Sequence, residues 1–155
     1  MSVTRIIGDP EVVSLPSPFD RSLRLSGGAA GICVAALAGR DGPSSIGFDL
    51  LLSEASGGGR LDIGLAATDT APASGLAVEL VVLDLTPGAW YRLTATSDGS
   101  TGTLSVGRRG DPSVMETELA ADGASLPDSP NESCLGASFA EAAASVLVDN
   151  MRVDR

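Results

Sequence analysis

The chain has 155 residues, 43% of them hydrophobic, which suits one packed core and a single domain over residues 1–155. Its formal net charge is −10, with no His and no Lys, so a surface that repels phosphate argues against nucleic acid or anionic membranes as partners. Without His the chain also lacks the usual general base at neutral pH and the commonest ligand for zinc, copper or non-haem iron.

Short runs along the chain alternate between apolar and polar residues, the period of a strand with one face buried. In chain order, strands are expected over 3–7, 11–15, 22–26, 31–37, 45–52, 60–66, 76–85, 90–96, 102–108, 132–138 and 145–153. The pattern is clearest where Leu23 and Leu25 alternate with Ser22, Arg24 and Ser26, and where Ile46, Phe48, Leu50 and Leu52 share one face. Turn formers separate the runs, as in Ser56-Gly57-Gly58-Gly59, Thr86-Pro87-Gly88 and Ser97-Asp98-Gly99-Ser100. Thr68 to Gly75 and Ala120 to Glu132 are expected as surface loops. Phe139 to Ser145 is Ala-rich but too short for a stable helix, so a loop or single turn is expected.

So many short strands, with nineteen Gly and nine Pro between and within them, predict an all-β domain of two antiparallel sheets packed as a jelly-roll sandwich. A single sheet of that many strands would leave an apolar face in water. No run approaches the roughly 18 consecutive apolar residues that a membrane-spanning helix needs. Met1 to Pro10 lacks the basic start and apolar run of a secretory signal, so membrane insertion is not expected. If the protein is exported, the signal is expected to have been removed or to belong to a larger parent. Cys33 and Cys134 each sit in a short apolar stretch, and two readings stay open: two buried free thiols, or one disulfide closing nearly the whole domain.

Four segments carry a family resemblance. Ser22-Leu23-Arg24-Leu25-Ser26-Gly27 resembles the opening strand, and Ile46-Gly47-Phe48-Asp49-Leu50-Leu51-Leu52 the long early core strand, of the laminin G-like and concanavalin A-like lectin/glucanase superfamily. Pro87-Gly88-Ala89-Trp90-Tyr91-Arg92-Leu93-Thr94, with Asp98 and Gly102-Thr103-Leu104-Ser105-Val106, is similar to its unit of turn, Trp, strand, hairpin and strand. Val146-Leu147-Val148-Asp149-Asn150-Met151-Arg152-Val153 resembles its closing strand, which also occurs in galactose-binding-like jelly rolls, the alternative fold. The resemblance implies a non-catalytic carbohydrate-binding or adhesive module at an extracellular or surface location, with a glycan or surface protein as partner. The rival function is a structural or assembly protein, such as a surface appendage or virion component, including a homo-oligomer. A glycoside hydrolase or lyase ranks third. A retaining glycosidase needs two carboxyl groups about 5 to 5.5 Å apart, and the nearest pattern, Glu116-Thr117-Glu118, reads as a solvated edge. Without His no Ser-His-Asp triad can form.

Two pairs of residues are the candidate binding sites. Alternation sets Trp90, Arg92, Thr94 and Thr96 opposite Leu93 and Ala95, so Trp90 and Arg92 form a sugar platform if their face is solvated; otherwise Trp90 plugs the core or its rim. Asp149 and Asn150 place a carboxylate and an amide inside the last apolar strand, where a partner is required. Structural calcium, found in related domains, is one option, and a bridge to an Arg or to loop N–H groups is the other.

Overall fold

Ser44–Leu52 sets the pattern for the whole domain. Its even-numbered residues Ile46, Phe48, Leu50 and Leu52 are buried, while Ser45, Gly47, Asp49 and Leu51 point the other way. Residues 3–14, 21–35, 44–55, 58–68, 73–97, 101–108, 114–120 and 131–154 are described by the computed structural model. Among them twelve strands and one short helix follow in the order β1 (Val3–Ile7), β2 (Glu11–Ser14), β3 (Arg21–Ser26), β4 (Ala30–Ala35), β5 (Ser44–Leu52), β6 (Arg60–Leu65), β7 (Ser74–Glu79), α1 (Leu80–Leu83), β8 (Trp90–Ser97), β9 (Thr101–Arg108), β10 (Val114–Ala120), β11 (Glu132–Ser138) and β12 (Ser145–Asp154).

The strands form two antiparallel sheets, one of five in the order β1-β4-β11-β6-β7 and one of seven in the order β10-β9-β8-β5-β12-β3-β2. This is the expected two-sheet jelly-roll sandwich. Leu61, Ile63, Leu76 and Leu135 of the smaller sheet meet Leu25, Phe48, Leu93, Leu104 and Val146 of the larger in one apolar cluster. At Gly102 an added Cβ would come within 2.5 Å of the Leu76 side chain, so the missing side chain on β9 makes room for a leucine from the opposite sheet.

Four segments depart from the sequence reading. The run expected as one strand over 76–85 ends at Glu79, and Leu80-Val81-Val82-Leu83 turns into α1. Four consecutive apolar residues carry no alternation; one helical turn buries Leu80 and Leu83 and leaves Val81 and Val82 exposed. The turn closes at Asp84 in a left-handed conformation, φ 50°. β10 was not expected at all, although Glu116 and Glu118 alternate with Met115 and Thr117. Its register against β9 sets the two glutamates opposite Ser105 and Thr103 on the outer face. The loop expected over Thr68 to Gly75 gives up Ser74 and Gly75 to β7, and that expected from Ala120 to Glu132 gives up its two end residues to β10 and β11. Residues 69–72 and 121–130 of these loops, and residues 15, 36 and 37 of two expected strands, lie outside the described residues. Phe139 to Ser145 forms a turn, with the Ala144 N–H donating to the Glu141 carbonyl at 3.2 Å, and enters β12 at Ser145.

Cys33 on β4 and Cys134 on β11 stand directly opposite one another and are joined by a disulfide, both fully buried. Beside it Arg5 of the edge strand β1 reaches over β4, and its Nη2 donates to Glu132 Oε1 at 2.9 Å while Thr4 Oγ1 donates to Glu132 Oε2 at 2.9 Å. The disulfide closes a loop spanning 101 positions, so its loss releases chain entropy mainly to the unfolded state. Replacing both cysteines by alanine is expected to lower unfolding free energy by about 2–5 kcal/mol, read from urea denaturation followed by circular dichroism.

Candidate functional site

On the outer face of the seven-stranded sheet, the three adjacent strands β8, β5 and β12 bring distant residues into rows. Trp90 lies opposite Leu51, which lies opposite Leu147; Arg92, Asp49 and Asp149 form the next row; Thr94, Gly47 and Arg152 the third. The first row is apolar and the other two polar, so an aromatic side chain borders a charged strip on one surface.

The strip is organised around Asp49, a carboxylate only 5% exposed in the central strand. A carboxylate so buried requires partners. Arg92 Nη1 donates to Asp49 Oδ1 at 3.3 Å and to the Asn150 carbonyl at 2.9 Å, and Asn150 Nδ2 donates to Asp49 Oδ2 at 2.8 Å. Gly47 makes this possible: an added Cβ there would lie 2.7 Å from Arg92 Nη2, because the guanidinium rests over the bare backbone of β5.

Asn150 reaches Asp49 through a β-bulge. The pairing of β12 with β5 shifts register between Asp149 and Arg152, and Asn150 takes the left-handed conformation, φ 49°. Asn tolerates this region better than other residues with a side chain, and the Asn150 N–H donates to Asp149 Oδ1 at 2.8 Å. The result is a cleft of about 500 Å³ lined by Asp49, Arg92, Asn150, Met151 and Arg152.

The turn before β8 sets the position of Trp90. Pro87 and Gly88, the latter at φ 82°, follow Thr86, whose carbonyl accepts from the Ala89 N–H at 3.4 Å. Tyr91 holds the turn from the core side, its hydroxyl accepting from the Thr86 N–H at 2.9 Å, while the Arg108 guanidinium lies 5.8 Å from its ring centre. Hydrogen bonding at Thr86 lowers the Tyr91 pKa below its ordinary value, burial opposes this, and the Arg108 charge adds to the lowering.

Arg92, Asp149 and Asn150, singled out separately in the sequence, thus meet within one network, and Trp90 lies half-buried two residues from Arg92 on the same face. Cys33 and Cys134 belong to the other sheet. The sequence reading missed Asp49, Gly47 and Arg152. A charged residue at an outward position within the strongest alternating run was the available signal for Asp49; nothing local marked the other two.

Calcium at Asp149 and Asn150 does not fit this donor set. Both Asp49 oxygens are engaged, one of them by a guanidinium; Asn150 presents its NH₂ to the carboxylate, and the exposed Asp149 oxygen pairs with a backbone N–H. Arg92 supplies the cation here. Among the described residues the group of three metal-ligating side chains is Cys33, Glu132 and Cys134, whose thiols form the disulfide.

No protein-family model matches the chain, and no curated protein matches it. Solved structures do. Lectin II from Ulex europaeus superposes with a TM-score of 0.55 at 10% identity, covering 96% of this chain and 91% of that one. Carbohydrate-binding module CBM66 from Bacillus subtilis gives 0.51 at 10% identity, covering 95% and 92%. A protein from Parabacteroides distasonis, provisionally named a glycosyl hydrolase, gives 0.50 at 10% identity, covering 96% and 92%. The fold is therefore the concanavalin A-like jelly-roll sandwich, the first of the two jelly rolls expected from the sequence.

Replacing Arg92 by alanine leaves Asp49 buried without its cation. Because the Arg92 side chain is 38% exposed, the cost falls below that of a fully buried pair, about 1–3 kcal/mol, measurable by urea denaturation. Tyr91 is the only tyrosine, so absorbance of its phenolate reports it alone. Its titration midpoint is expected below 10.0, and Arg108→Ala is expected to move it upward.

Proposed function

We propose that this chain is a non-catalytic carbohydrate-binding module of an extracellular or surface protein, holding its sugar on the outer face of the seven-stranded sheet. The observation that carries the reading is the placement of half-buried Trp90 beside the Asp49, Arg92 and Asn150 cleft. An aromatic face stacks on pyranose C–H groups, while a guanidinium and an amide donate to hydroxyls and a carboxylate accepts from them. Two neighbours in fold support the class: CBM66 is a carbohydrate-binding module, and the Ulex europaeus protein is a lectin.

The non-catalytic part of the reading draws on the site's chemistry. Asp49 spends both oxygens holding Arg92 and Asn150 in place, a use that competes with proton transfer. Glu116 and Glu118 are exposed on the outer side of edge strand β10, separated by β9 from β8, the strand that contributes Arg92 to the cleft. A second reading, assembly with a surface protein or with further copies of the chain, is favoured by Val3, Ile6 and Val12, which are 53%, 63% and 65% exposed on the edge strands β1 and β2.

A glycan panel tests the first reading, run on the purified protein in buffer with calcium and again with a chelator. Reproducible binding is expected in both buffers, weakened about tenfold or more by Trp90→Ala in a variant shown to be folded by circular dichroism. No binding across the panel overturns the reading, and sedimentation analysis then tests assembly.

A further inference from the structure

Resting on the carbohydrate-binding reading, we infer that the cleft is specific for a saccharide bearing a single carboxylate, gripped by Arg152 and the outward arm of Arg92. Acidic residues outnumber arginines by 20 to 10 in this chain, so an arginine without an acidic neighbour is not the expected outcome. Yet among the described residues the Arg152 side chain has no hydrogen bond or ion pair, although it lines the cleft with Asp49 and Asn150.

Arg92 is half used. Its Nη1 is committed to Asp49 and to the Asn150 carbonyl, whereas Nη2 and Nε carry no partner among the described residues and lie over Gly47. Gly47 is also the cross-strand partner of Arg152, so β12 sets Arg152 beside the bare stretch of backbone on which the Arg92 guanidinium rests, and both residues line the cleft. Two guanidiniums line the cleft against one carboxylate, Asp49, that is already paired, while the Asp149 carboxylate beside it is bound to the Asn150 N–H, on a chain of net charge −10. Like charges in one cleft repel, and an anion between them removes the repulsion. A planar guanidinium fork matches a carboxylate in geometry, and Asp49 and Asn150 remain within the cleft for sugar hydroxyls.

The surrounding negative field sets the size of the ligand's charge. A long polyanion is repelled by the rest of the surface, whereas one terminal acidic sugar carries its charge only beside the two guanidiniums. The ligand class is therefore an oligosaccharide ending in a uronate, with neutral units beyond it toward Trp90.

The test uses oligosaccharides capped by glucuronate and the same oligosaccharides capped by glucose, titrated calorimetrically into the whole protein and into Arg152→Gln. The glucuronate form is expected to bind about tenfold more tightly to the unmodified protein, and Arg152→Gln is expected to abolish that preference. Because the Arg152 side chain is exposed and makes no ion pair among the described residues, the urea midpoint of Arg152→Gln should stay unchanged, which separates lost contact from lost fold. Equal affinity for both forms overturns this inference and leaves the carbohydrate reading standing. A preference that survives in Arg152→Gln overturns the role of Arg152. Absence of binding by either form overturns this inference, and the glycan panel decides the carbohydrate reading separately.

Discussion

The alternation of β5, in the centre of the larger sheet, is the constraint on which the rest of the structure depends. Successive side chains of a strand point to opposite faces, so committing Ile46, Phe48, Leu50 and Leu52 to the core commits Gly47, Asp49 and Leu51 to the outside. A slip of one residue would bury Asp49 in the core cluster and expose a phenylalanine. The hydrophobic effect therefore fixes the register of β8 and β12 against β5, and with it the positions of Arg92 and Arg152.

Having placed a carboxylate in the middle of a sheet, the fold must compensate it from neighbouring strands. β8 supplies a guanidinium and β12 an amide and a carbonyl, but β12 can do so only by bulging, because in regular register its next outward residue after Asp149 would lie one position further along. The local cost of a non-glycine residue at positive φ is offset by three hydrogen bonds around Asp49. The same bulge opens the cleft. Stability and site geometry thus rest on one network at this point.

The smaller sheet solves a different problem. Its face away from the core carries glycines and cysteines at Gly31, Cys33, Gly64, Cys134 and Gly136, which offer little side-chain packing across strands. The disulfide joins β4 to β11 covalently there, and the Arg5 and Glu132 pair fastens β1 over it. This sheet reads as the braced half of the sandwich, and the larger one carries the polar outer surface on which the cleft lies.

The architecture was legible in the sequence because period-two alternation and glycine- or proline-rich turns are local signals that burial enforces strand by strand. It failed at Leu80 to Leu83, where a run without alternation carries no face, and at Val114 to Ala120, where Thr117 takes the place of an apolar residue. The residue types of the site were legible too: Trp90, Arg92, Asp149 and Asn150 stood out as polar or aromatic groups in apolar strands. Their partners were not. Asp49 lies 43 positions from Arg92 and 101 from Asn150, and nothing along the chain encodes which strands become neighbours. By itself the sequence determined the two-faced strands, the acidic and His-free chemistry, and which residues need partners. Only the tertiary structure decided those partners, because strand order is settled by how two whole sheets bury their faces against each other.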